Sequence, residues 1–141
     1  MAAPKTILLQ GELSRVHEER NAGAAGIMPG DCLMVNADNE YVVQATAGGV
    51  HRVIVAKEND LFGKTIDDAY ADGDIVPAHV AQKGDKVYLR LTTSQTITID
   101  EMLEYDGTGK VRVLASGEAK FQAAEAVTTT GAAGRIAAWV I

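Results

Sequence analysis

The chain is 141 residues long, with a formal net charge of −6, 47% hydrophobic residues and only 5% aromatic ones. That length fits one domain able to bury about two thirds of its unfolded surface without a disulfide or a metal, around a core of Val, Ile, Leu and Ala. The acidic balance speaks against the basic surface that nucleic acid or an anionic membrane requires, so neither is expected as a partner.

In chain order, residues 1–21 are expected to form an extended N-terminal arm ahead of a single β domain over 22–141. The apolar "ILLQ" after Lys5 is too short for the core of a signal peptide, and no segment nears the ~18 apolar residues of a membrane span. "GELSRVHEER" is a candidate for one charged helical turn. Cys32, the lone cysteine, lies in the apolar run "CLMV", reads as a small buried hydrophobe and fits folding in a reducing cytoplasm.

From residue 30 the pattern is one of short apolar runs of period two, cut by Gly and Asp turns. "CLMVN" and "EYVVQA" face each other across "ADN" as a hairpin, and "HRVIVA" comes after a Gly pair. "TIDDAYADG" is expected to be the one short helix, with Thr65 as N-cap, Asp67 and Asp68 in its first turn and Gly73 as its stop. "DIVPAHVA" is a strand that Pro77 relegates to an edge or a bulge. "KVYLRLT" alternates cleanly, "EMLEYD" and "KVRVLA" form a hairpin through "DGTGK", and "FQAAEAVTTT" and "RIAAWVI" complete the set. Strands at roughly ten-residue spacing predict an all-β fold, a small jelly-roll-like sandwich or barrel with one short helix and the N-terminal arm.

No motif carries catalysis. The acidic run Asp67, Asp68, Asp72, Asp74 fails as a calcium loop, because Tyr70 stands at a ligand position and His79 where a bidentate Glu is required. Two aspartates at a helix N-terminus and a turn into the next strand account for it. His17, His51 and His79 lie in separate segments without ligand spacing, so no metal is expected. No serine sits in a G-x-S-x-G elbow, and "GTGK" at 107–110 is a hairpin rather than a phosphate loop. No catalytic residue and no cofactor are expected, and the chain reads as a non-enzyme. An extended "PKTILLQG" suits addition to another chain's sheet edge, which makes Pro4, Lys5, Thr6, Ile7, Leu8 and Leu9 the candidate partner contacts. Trp139, the only tryptophan, is expected in the core. The competing reading is a small β-barrel carrier or ligand-binding module, drawn from the repeated "PGD", "DGD" and "KGD", with Lys110 the nearest lysine for a covalent group.

The run "AGAAGIMPGDCLMVNADNEYVVQATAGG", then "VAKENDLFGKTIDDAYADGDIV", "QKGDKVYLRL", "MLEYDGTGKVRVL", "EAV" and "RIAAWVI", resembles the capsid decoration (cement) proteins of tailed bacteriophages. The resemblance spans roughly residues 22–141, and Lys57–Val76 is its most specific part. It implies a structural virion protein, made in the bacterial host cytoplasm and placed on the outer capsid surface. There it would bridge major capsid protein subunits and associate with copies of itself as a dimer or a trimer. It implies no catalytic or metal role for the acidic run.

Overall fold

In Lys86–Leu91 the residues Val87, Leu89 and Leu91 are fully buried, while Tyr88 and Arg90 point the other way, the alternation that a half-buried strand requires. The same rule operates at the C-terminus, where Ile136, Ala138 and Val140 turn inward from the strand Gly134–Val140. The computed structural model describes residues 3–10 and 17–141. The strands are β1 (Leu8–Gln10), β2 (His17–Asn21), β3 (Leu33–Val35), β4 (Tyr41–Val43), β5 (Ile54–Ala56), β6 (Ile75–Val80) and β7 (Lys86–Leu91), then β8 (Thr96–Ile97), β9 (Met102–Tyr105), β10 (Val111–Val113), β11 (Phe121–Ala123), β12 (Val127–Thr128) and β13 (Gly134–Val140).

Five strands close a barrel in the order β7–β10–β9–β11–β13, with β13 returning to β7 over the register Gly134↔Leu91 to Trp139↔Lys86. Only β7–β10 is parallel; the other barrel pairs are antiparallel. β1 pairs antiparallel with the first residues of β7, Leu8 opposite Val87, so β1 and β10 share one edge of that strand. Inside, Tyr105 and Phe121 meet edge to face at 5.9 Å, the favoured geometry for two rings. Of the two architectures expected, the barrel is the one observed.

A second layer lies against the barrel. It comprises the sheet β2–β6–β5 and the hairpin β3–β4, stitched to the rest by isolated bridges such as Cys32↔Val55 and Ile27↔Tyr70. Its own core gathers Ala22, Ile27, Leu33, Tyr41, Ile54, Ala56, Tyr70, Val76, Ala78 and Val80. β6 is the middle strand of its sheet, contrary to the edge or bulge expected from Pro77. The proline stands opposite Glu19 of β2 and just beyond the last β5 pair at Ala78, so the β5 ladder asks it for no N–H, and its carbonyl accepts from Lys57 N. The charged segment read as a helical turn is strand β2 where it is described, and residues 11–16 lie outside the described part.

The helix expected over Thr65–Gly73 is absent. The helical element among the described residues is a single 3-10 turn at Asp60–Phe62, stopped by Gly63 in the left-handed region at φ +71°.

Candidate interaction surface

The acidic run finds its explanation in a device used five times among the described residues. Met28–Asp31, Thr65–Asp68, Ala71–Asp74, Gln82–Asp85 and Thr98–Glu101 are four-residue turns in which the last residue's carboxylate accepts the first residue's backbone N–H, at 2.7–2.9 Å. The last residue's own N–H donates back to the first carbonyl at 3.0–3.3 Å. In four of them the third residue has positive φ: Gly30 (+93°), Gly73 (+82°), Gly84 (+94°) and Asp100 (+69°). A turn of that kind demands a left-handed residue there, which glycine supplies at no steric cost. The repeated "GD" is therefore a turn signature. Asp68 and Asp74 close turns, and the Thr65 N–H holds the Asp68 carboxyl below its usual range. Asp67 and Asp72 are exposed.

The histidines remain apart in function. His51 is exposed, its Nδ1 3.1 Å from Gln44 Nε2, whereas His79 is buried with Nε2 2.7 Å from Asp85 Oδ2. His17 stands opposite His79 in the β2–β6 register. No group of three or more metal-ligating side chains comes together among the described residues. Cys32 is buried, and burial pushes its thiol pKa well up, so it packs as a hydrophobe. Lys110 is half-buried where β10 begins, its N–H donating to Asp106 Oδ1, rather than at the tip of its hairpin. Trp139 lies outside the barrel core, half-buried beneath Lys86, whose Nζ is 5.2 Å from the ring centroid.

The expected partner contacts divide. Lys5 and Thr6 are exposed, Pro4 and Leu9 are half-buried, and Ile7 and Leu8 are buried in the barrel core, Ile7 completely. Glu58 fastens this segment: its Oε1 accepts from Thr6 Oγ1 at 2.6 Å and its Oε2 from Ile7 N at 3.2 Å.

The largest exposed side chains sit elsewhere, on the segment between β5 and β6. Leu61 is 88% exposed and Phe62 74%, at the 3-10 turn. The rest of the segment, towards β6, is firmly anchored. Ile66 is buried in the barrel core and Tyr70 in the second core. The Tyr70 hydroxyl donates to the Lys57 carbonyl, and its N–H to Ile27 O at 2.8 Å. Arg135 reaches over the Tyr88 ring to give one N–H to Ile66 O at 2.6 Å and another to Pro29 O at 2.8 Å. A cavity of about 590 Å³ opens on one side of the segment, walled by Phe62, Tyr70 and Ile75. On the other side a groove of about 730 Å³ runs between Ala3–Lys5 and Glu58–Asp67, floored by Tyr88 and Arg135. Sequence reasoning passed over Leu61 and Phe62, although "NDLFGK" carried a signal: two large apolar residues in a polar stretch that keeps neither a helical nor a strand period.

No family model matches the chain, and no curated protein sequence does. Among solved structures, it is similar to the head fiber gp8.5 N base of bacteriophage phi29, with a TM-score of 0.57 at 11% identity, over 89% of this chain and 93% of that one. At that identity the likeness is one of fold, and it runs nearly the whole length of both chains.

Proposed function

We propose that this chain is a structural component of a bacteriophage virion, a decoration protein that sits on the outer capsid surface, bridges major capsid subunits and performs no catalysis. The observation that carries this reading is the nearly full-length fold likeness to the phi29 head fiber base, at an identity too low to reflect local motifs. The resemblance of Lys57–Val76 to phage cement proteins points the same way from the residues. Such a role needs a stable scaffold and a presented surface. The barrel supplies the first and the anchored segment between β5 and β6 the second. Repetition on a lattice would let weak contacts act together, since each copy engages more than one fixed site.

Co-sedimentation of the purified chain with unexpanded and expanded shells of its phage, counting copies per shell, tests the reading. Saturable binding to expanded shells at a fixed ratio to the major capsid protein is expected, and that ratio reports the symmetry site. A folded chain that sediments with neither form overturns it.

A further inference from the structure

We propose that the segment between β5 and β6 is the part of this chain that docks, with Leu61 and Phe62 entering an apolar pocket on the partner whose rim carries lysine or arginine. The partner's identity, a major capsid subunit, rests on the function proposed above; the docking residues rest on geometry and charge.

The apolar side chains of the N-terminal segment are committed to this chain's own fold, since Ile7 and Leu8 lie in the barrel core. Leu61 and Phe62 are neighbours, more exposed than any other large apolar residue described, and Ile75 extends them across the adjacent cavity at 48% exposure. Val50 and Ile99, the next most exposed, belong to other loops. Because Ile66 and Tyr70 fix the segment in two cores, the pair is presented with little conformational freedom left to lose on binding. Exposed aromatic and aliphatic anchors of this kind carry most of the energy in protein contacts.

Charge selects the occupant. Residues 57–75 hold six carboxylates and two lysines, a net −4 out of −6 for the chain. Asp60, Asp67, Asp72 and Asp74 are exposed around the apolar pair. A second copy would set one such rim against another, which like-charge repulsion opposes, whereas a basic rim is attracted and steered into register.

The test is sedimentation of the full-length chain with expanded shells from about 50 to about 300 mM salt. Leu61→Ser and Phe62→Ser should each weaken binding at least roughly 30-fold with an unchanged thermal midpoint, because neither side chain supports the fold. Asp60→Lys with Asp67→Lys should weaken binding and flatten its salt dependence, and Ile99→Ser should leave it unaltered. Serine variants that bind within about threefold of wild type overturn the docking inference and leave the capsid reading standing. Binding that tightens with added salt overturns the basic rim. Self-association of the wild type that is lost in Phe62→Ser makes the occupant a second copy and overturns the choice of partner. A wild type that binds no shell overturns the docking inference together with the capsid reading.

Discussion

Glu104 is fully buried, yet its carboxylate is used on both sides: Oε1 takes the Arg112 guanidinium at 2.8 and 2.9 Å, and Oε2 takes the Gly117 N–H at 2.7 Å. Gly117 has to be a glycine, because a Cβ there would stand 2.2 Å from Gly48 Cα and 2.3 Å from the Glu104 oxygen. Asp31 shows the opposite balance. Its carboxyl is 2% exposed, and desolvation raises its pKa against the pull of the Met28 N–H at 2.9 Å and of Arg90 at 3.2 Å. A carboxyl whose pKa is higher folded than unfolded binds more protons when folded, between the two values. Its contribution to stability therefore falls as pH rises through that window. Asn at this position keeps an acceptor for Met28 but cannot ionise. Urea unfolding of wild type and Asp31→Asn across the acid range should show wild type losing ground to the variant as pH rises from the ordinary carboxylate value. A difference that runs the other way would mean that the Arg90 pair outweighs burial.

At the scale of elements, β1 is a stave laid beside β10 on the free part of the β7 edge, latched by Glu58 from the neighbouring loop. Ile7 is completely buried in front of it. Ile7→Ala should destabilise the chain by about 2–4 kcal/mol, read as a lower urea midpoint with an unchanged slope. Loss below about 0.5 kcal/mol would mean that the barrel collapses around the gap without cost. The contrast among elements explains what the sequence made legible. β7, β13 and the hairpins β3–β4 and β9–β10 announce themselves by alternation and local turn chemistry, both contained within a dozen residues. β1 does not, because its partner Val87 lies far along the chain. β2 reads "HEERN", charged throughout, and owes its strand conformation to pairing with β6. The missing helix is the most instructive case. A carboxylate three residues after Thr65 reaches back to the Thr65 N–H in this turn as it would in a helical capping box, so the local signal is shared. What decides between the two is distant: Ile66 and Tyr70 are drawn into different cores, which a continuous helix over so few residues would not allow. The site was legible only as an oddity, an apolar pair at 61–62 without a period, since exposure depends on where the anchors on either side are buried.

For the whole molecule, the question is whether two cores make one cooperative unit. They share covalent elements at alternate residues: along and just before β5, Val53 and Val55 face the barrel while Ile54 and Ala56 face the second core. Cys32 and Leu33 divide in the same way. A strand with both faces buried cannot leave one core without exposing the other, so the second layer has no independent way to melt. The bridges Cys32↔Val55 and Ile27↔Tyr70 and the grip of Arg135 on two loops add to the coupling. Urea unfolding monitored by Trp139 fluorescence, which reports a barrel strand, should coincide with unfolding monitored by amide exchange in β2, β5 and β6. Ile54→Ala should lower both midpoints together, by a loss of about 2–4 kcal/mol, although the deleted atoms belong to the second core alone. Exchange in β6 at urea concentrations where Trp139 is still native would show instead that the second layer opens as a unit of its own. In that case the docking segment, which hangs between β5 and β6, would ride on the weaker half of the molecule. With a single transition, by contrast, a load applied at Leu61 and Phe62 is borne by the barrel as well, because Ile66 carries it there directly.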